Sequence, residues 1–236
     1  GGGNSQSITS NATNPDLGEI KISDNGGAST LTLGSAVKIA SATIDTSQIL
    51  SANGANTVTL TGTGTVFTNN GTFQPSTGTV EYTGATTNIG ASKYKHLTLG
   101  ASGTHTMPSS GNVTLLGNLT LASGATYASG SSTVLFRAGG SQLVTDNNAT
   151  KQNLGEISVI ASTGGNSTLT LGSSVRIASA TIDASQSLDA NGSNTLTITG
   201  TGTPFTVSGS FGAFTRSTGA VVFTGAKQVM VGYDMR

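Results

Sequence analysis

Residues 29–66 read STLTLGSAVKIASATIDTSQILSANGANTVTLTGTGTV, and the string returns at residues 167–204 as STLTLGSSVRIASATIDASQSLDANGSNTLTITGTGTP. About three quarters of the paired positions are identical, which identifies an internal repeat. The correspondence extends to LGEI, which begins at Leu17 and again at Leu154, 137 positions later. We therefore expect a first repeat over residues 1–137 and a second, incomplete repeat over residues 138–236, stacked on the first as one continuous rod.

Short alternating strings within each copy predict β-strands. Glu19–Ile22, Val37–Ile39 and Thr57–Leu60 alternate apolar with polar residues, and Gly, Ser, Asn or Asp bounds each of them. No apolar stripe with helical spacing occurs, and β-branched residues dominate. The sequence predicts an all-β chain with a helix content near zero.

Two all-β architectures fit this pattern: a pair of β-sandwich domains with a boundary near residue 138, and a single parallel β-solenoid, or β-helix. Strand signals recur every 8–12 residues or so with very short turns, and small residues crowd the strands. Aromatic residues make up 5% of the chain, too few for two sandwich cores. These features favour the solenoid, with about ten coils stacked about 4.8 Å apart.

The composition excludes several classes of function. Charged residues make up 8% of the chain, the ten basic and ten acidic residues cancel, and there is no Cys. A neutral chain has no net field that would attract nucleic acid, and a chain without Cys has no disulfide or thiolate chemistry. No apolar run approaches the roughly 20 residues of a membrane helix. We predict no nucleic-acid binding and no membrane insertion.

The candidate catalytic and metal-binding residues are few. Asp45 and Asp183 occupy matching places, but six coils would separate them by roughly 28 Å, whereas paired glycosidase carboxylates lie about 5–10 Å apart. His96 and His105 have no Cys or close carboxylate to complete a metal site, and we expect them in a surface loop. The sequence predicts a protein that is not an enzyme and has no cofactor and no metal site.

A series of short motifs in the middle of the chain resembles a known group of proteins. GTVEYTG (78–84), KHLTLG (95–100), GNVTLLGNLTLASG (111–124) and STVLFRAGG (132–140) resemble repeats of large bacterial surface proteins of the adhesin and autotransporter-passenger kind. The resemblance implies a parallel β-helix that serves as an extracellular stalk, matrix or filament. It carries no catalytic residues with it.

The open ends of a solenoid suggest how such a filament forms. Polar caps normally cover the terminal coils, and none is visible in this sequence. We therefore predict a homo-oligomer or head-to-tail filament in the extracellular space or at the cell surface, assembled through strand edges. The candidate subunit contacts are apolar or aromatic residues near the two ends: Ile8, Leu17, Ile20, Val221, Phe223, Val229, Val231 and Tyr233.

Three alternatives to an inert filament remain open. A glycan-binding adhesin segment would contact sugar through a lateral face with Tyr82, Tyr94 and Tyr127. An ice-binding solenoid would use the Thr-x-Thr strings, such as Thr30/Thr32 and Thr168/Thr170, as flat rows. An enzyme of the polysaccharide-lyase type would need a compact charged groove, for which the scattered charges offer little support.

Overall fold

The computed structural model describes residues 4–23, 26–208, 212–226 and, as a strand, 228–231. These residues form thirty short strands and no helix. In chain order the strands are β1 (Ser5–Ile8), β2 (Glu19–Ile22), β3 (Thr30–Leu33), β4 (Val37–Ile39), β5 (Ser41–Ile44), β6 (Ile49–Ser51), β7 (Thr57–Leu60), β8 (Gly64–Thr65), β9 (Phe67–Asn69), β10 (Thr72–Gln74), β11 (Thr79–Tyr82), β12 (Thr86–Asn88), β13 (Lys93–Tyr94), β14 (His96–Leu99), β15 (Thr104–Thr106), β16 (Val113–Leu115), β17 (Leu119–Leu121), β18 (Thr126–Ala128), β19 (Thr133–Phe136), β20 (Ser141–Asp146), β21 (Glu156–Val159), β22 (Thr168–Leu171), β23 (Val175–Ile177), β24 (Ser179–Ile182), β25 (Ser187–Asp189), β26 (Thr195–Ile198), β27 (Gly202–Val207), β28 (Ala213–Thr215), β29 (Ala220–Phe223) and β30 (Gln228–Val231).

The strands wind as a parallel solenoid. One coil contains β13, β14 and β15, the next contains β16, β17 and β18, and each strand of the later coil pairs in parallel with its counterpart in the earlier one. The same arrangement continues through the chain to give about ten turns. The predicted parallel β-solenoid is confirmed, and the tandem β-sandwich is excluded.

Three sides run along the rod, and each coil visits them in the same order. The first side holds β1-β3-β6-β10 and then β13-β16-β19-β21-β24-β27-β30, which meet where β10 lies beside β13. The second side is one sheet, β4-β7-β11-β14-β17-β20-β22-β25-β28. The third side holds β2-β5-β9, β8-β12-β15-β18 and β23-β26-β29. The sheets of the first two sides contain strands from both copies of the repeat.

The core forms because apolar and polar residues alternate along the strands, and the apolar side chains point inward in successive coils. On the second side, the inward rows stack in register as Val37, Val58, Val80, Leu97 and Leu119, all at most 2% exposed. Most of the described strands repeat this arrangement, and the buried apolar side chains form one continuous cluster along the axis.

The two copies of the repeat do not occupy the same sides. β3, β6 and β10 lie on the first side, whereas their sequence counterparts β22, β25 and β28 lie on the second. Likewise β4, β7 and β11 lie on the second side and their counterparts on the third. From a strand in the first copy to its counterpart in the second, the chain therefore makes six full coils and then advances by one more side of the rod. Asp45, after β5, and Asp183, after β24, consequently lie on different sides of the rod.

Glycine is required at one corner because successive coils approach closely there. Gly62 and Gly84 occupy this corner in consecutive coils, and a Cβ on Gly84 would overlap the backbone carbonyl of Gly62. The obstacle is backbone, which cannot move aside as a flexible side chain can. Gly140, in contrast, has no atom within 4 Å of such a Cβ.

We expect Gly84→Ala to lower the free energy of unfolding by about 1–3 kcal/mol, because overpacking forces the backbone to shift. Gly140→Ala is the matched control and should change it by less than about 0.5 kcal/mol. The measurement is the midpoint of urea unfolding, followed by circular dichroism. Equal midpoints for the two variants would contradict close packing of this corner.

Candidate functional site

The first coil leaves an open backbone edge at the N-terminal end of the rod. Among the described residues, β1 pairs only with β3, and β2 pairs only with β5. The carbonyl groups of Asn4 and Ile8 accept hydrogen bonds from Thr30 and Gly34 (3.0 and 2.8 Å). Because strand residues alternate in direction, the N–H and C=O groups of Ser5 and Ser7 point away from the rod.

Three predicted contact residues lie together at this edge. Ile8 and Leu17 are half-buried and pack against the end of the core, and Ile20 is buried at 8% exposure. They surround an open depression that Gln6 and Leu31 also line. The sequence prediction missed Gln6, although its repeat counterpart, Gln142, could have drawn attention to it.

The opposite edge is formed by the last strands. β28 and β29 pair on one side only among the described residues. The predicted contacts Val221 and Phe223 are half-buried against the core, and the neighbouring Val222 is 40% exposed. Val229 and Val231 belong to β30, which pairs with β27. The predicted contact Tyr233 lies outside the described residues.

These edges can bind further strands. An unpaired parallel edge presents a row of donors and acceptors that a strand of another coil satisfies. In the described part of the chain, no helix or extra strand covers the outer side of β1, β2, β28 or β29. The charged groups at the N-terminal edge are few: Lys21 pairs weakly with Asp45 across 3.8 Å, and Asp16 and Glu19 are exposed.

The predicted tyrosine face is wrong, because all three rings are buried. Tyr82 and Tyr94 are 0% exposed, and Tyr127 is 7% exposed. The two hydroxyl groups of Tyr82 and Tyr94 hydrogen-bond to each other at 2.9 Å, and Tyr94 donates to the carbonyl of Gly90. Burial raises the pKa of Tyr82 to about 12, and it raises those of Tyr94 and Tyr127. A lateral glycan site therefore has no exposed ring among these residues.

The two histidines are not in a surface loop as predicted; both lie on strands. His96 belongs to β14, where its Nδ1 accepts from the backbone N–H of Asn118. His105 belongs to β15 and is fully buried, because its side chain points into the core with those of Thr87 and Tyr127 in the coils on either side.

The hydrogen bonds of His105 show which ring nitrogen carries the hydrogen. Its Nε2 lies 3.1 Å from the carbonyl of Gly100, which can only accept, so Nε2 carries the hydrogen. In the neutral ring, which burial favours, the hydroxyl of Thr87 donates to Nδ1 at 2.7 Å. Burial lowers the pKa of His105, and the bond to Gly100 offsets part of this effect.

The remaining candidate sites do not come together. The described residues contain no group of three or more His, Asp or Glu side chains placed to hold a metal ion. The threonine rows are also interrupted, since the outward row of the second side reads Lys38, Thr59, Glu81, Thr98, Thr120 and Thr145. An ice-binding surface needs an unbroken flat row, and this side does not provide one.

Comparison with known families gives one match. The family model of the TamB C-terminal domain matches residues 45–218, about three quarters of the chain. TamB is a bacterial envelope protein. No curated protein and no solved structure is significantly similar to the chain. Within the described ranges, no helix has the length and apolar character that crossing a membrane requires. None of these comparisons directly confirms the resemblance to adhesin repeats, which stays a prediction.

We expect the stability of the fold to fall as the pH drops below about 6.5, the usual pKa of histidine. The unfolded chain binds a proton at His105 near that pH, whereas the folded chain resists it until a lower pH. The stabilisation is therefore complete above about pH 6.5 and is lost as the pH falls through the folded-state pKa.

The measurement is the urea midpoint between about pH 7 and 5, above the range in which carboxylates dominate. His105→Gln should flatten this dependence more than the control His96→Gln, because His96 is partly exposed. The same slope in both variants would show that His105 is not the group responsible.

Proposed function

Because the chain belongs to the TamB C-terminal domain family, we propose that it is a structural element of the bacterial envelope whose solenoid is extended by strand pairing at its two open edges. The observation that supports this role is the pair of uncovered parallel edges, β1 with β2 at one end and β28 with β29 at the other. The role is mechanical, not catalytic.

The direction of the strands supports a polar filament. Every pairing between the described strands is parallel, so the edge at one end continues in the same sense as the edge at the other. A contact between two different edges is heterologous and propagates without closing. Stacked in this way, solenoids form a head-to-tail fibre, of the kind expected for a surface filament or stalk.

The N-terminal edge offers a specific way to test the pairing. The N–H of Ser7 points outward, whereas the alternate residues Gln6 and Ile8 face β3. A proline at position 7 removes this outward donor and leaves the bonds between β1 and β3 in place. Alanine at the same position keeps the donor.

We expect the 236-residue chain to associate end to end with rising concentration, and we expect Ser7→Pro to weaken that association at least about tenfold, or about 1.4 kcal/mol. Ser7→Ala should associate like the unaltered chain. Sedimentation velocity measures the association, and electron microscopy checks that the particles lengthen without thickening. Circular dichroism verifies that each variant is folded.

A chain that stays monomeric at millimolar concentration would overturn the proposal, and so would a Ser7→Pro variant that associates as well as Ser7→Ala. Lateral bundles in place of longer rods would also contradict end-to-end pairing.

The predicted location of the protein at the cell surface can be tested separately. Lys21 is 63% exposed on the outer face of β2, so a membrane-impermeant amine reagent reaches it when the protein lies outside the cell. We expect labelling of Lys21 in intact cells to match that in lysed cells. Labelling only after lysis would place the protein within the envelope and contradict the surface location.

A further inference from the structure

The first coil of the rod is a structural copy of a coil in the middle of the chain. Ile8 accepts a hydrogen bond from Gly34, just as Val144 does from Gly172. The backbone N–H of Ser10 donates to Ser35, and that of Asp146 donates to Ser173 in the same way. Residues 5–22 therefore repeat residues 141–159 in contacts as well as in sequence, with one residue inserted in the later copy.

The internal copy has what the first coil lacks, a coil packed against its outer edge. Gln142 is 2% exposed, and its Nε2 donates to the carbonyls of Leu115 and Gly117 at 2.8 and 3.1 Å. The backbone N–H of Leu143 donates to Oδ1 of Asn118 at 3.0 Å. The counterparts of these two donors are Gln6 and the outward N–H of Ser7.

The contact continues along the remainder of the internal coil. The Oδ1 of Asn148 accepts from the backbone N–H of Gly124, and its Nδ2 donates to the carbonyl of Ala125. The hydroxyl of Tyr127 donates to the carbonyl of Leu154. Finally, β21 pairs in parallel with β19 over four residues. One coil, residues 113–136, supplies this whole set of partners.

Burial shows the consequence of the missing neighbour. Val144, Leu154 and Ile157 are each 1% exposed. Their counterparts are the predicted contacts Ile8 and Leu17, which are half-buried, and Ile20 at 8%. Gln142 and Asn148 are buried, whereas Gln6 and Asn11 are exposed. The N-terminal edge has the shape and donors of the buried copy without its covering coil.

We propose that the N-terminal edge binds a coil of the 113–136 type, supplied by a further copy of this repeat. The inference rests on the proposed function and names the partner of that edge. Gln6 donates to the carbonyl two residues before the partner's G-N-L-T-L motif and to the carbonyl of the motif's own glycine, and the Ser7 N–H donates to the side chain of the motif's asparagine. In this chain the motif occurs once, at residues 117–121.

The chain's own C-terminal edge is a poorer partner. β28 and β29 are the counterparts of β10 and β11, and β11 is covered by β14 in the interior. A second copy of the 236-residue chain therefore offers the N-terminal edge a backbone ladder without the matching asparagine. Specific recognition requires the segment that corresponds to residues 97–137.

The test compares the 236-residue chain with an extended chain that carries a second copy of residues 97–137 after Arg236. This extension presents the G-N-L-T-L coil at the C-terminal end. We expect the extended chain to associate at a concentration at least tenfold lower, as measured by sedimentation velocity. Gln6→Ala in the extended chain should abolish most of this gain, because Gln6 is the exposed counterpart of the buried Gln142.

The outcomes separate this inference from the proposed function. If both chains associate at the same concentration, the specified partner is wrong and end-to-end pairing stands. If neither associates, end-to-end pairing fails, and the inference with it. A gain that Gln6→Ala leaves unchanged would also overturn the assignment of Gln6.

A second measurement does not depend on the folding of the extension. In the 236-residue chain, Gln142→Ala should lower the urea midpoint, whereas Gln6→Ala should leave it unchanged, because only Gln142 has its partner coil. Equal midpoints for these variants would show that the amide contact is not a recognition element and would overturn the inference.

Discussion

The structure depends on parallel pairing in register between one coil and the next. An interior strand residue such as Glu81 has a direct neighbour in the coil before it and another in the coil after it, so side chains at matching positions of successive coils stack on one another. This constraint accounts for the scarcity of charge, since like charges one strand spacing apart repel. Where charges do occur in the outward row of the second side, Lys38 and Glu81 lie on opposite sides of Thr59. Buried polar side chains bind backbone groups of the corners: Gln48 accepts from the Ser29 N–H and donates to the carbonyl of Gly27.

The same constraint explains why the candidate site is an edge and not a pocket. On the second side every interior strand is paired along both edges, so the unpaired edges of that sheet lie at its end strands, β4 and β28, near the two ends of the rod. Backbone pairing alone is permissive, because any extended segment can form it. Selectivity comes from side chains that reach across the ladder, as Gln142 does to the carbonyls of Leu115 and Gly117. In the proposed pairing, the end of the rod is therefore a binding surface of low chemical variety whose specificity is set by a few amides.

The sequence predicted the fold well because the internal repeat and the period-two alternation are both typical of stacked coils. It also named Ile8, Leu17 and Ile20 as candidate subunit contacts; these residues lie at one end of the rod, and their role stays a prediction. The tyrosine prediction failed, although the alternation of the strand indicates burial. Tyr82 points to the same side of its strand as the buried Val80, whereas Glu81 points to the other side. His105 was misplaced because one imidazole between two threonines, Thr104 and Thr106, is a weak pattern. The pairing partners of Gln142 were not predictable, since they follow from which coil lies beside which.

The offset between the repeat and the coil has a consequence for function. The second copy of the repeat begins one side further round the rod than the first, so a motif faces a different direction in the two copies. A lateral binding face requires the same residues on the same side in successive repeats, and an ice-binding row requires it in successive coils. This solenoid instead places the two copies of a motif on different sides. What stays constant from copy to copy is the axial contact, because Gly34 to Ile8 and Gly172 to Val144 are the same bond on different sides. Since the recurring contacts run along the axis, the fold favours a role in which extension and load are axial over one in which a lateral surface captures a ligand.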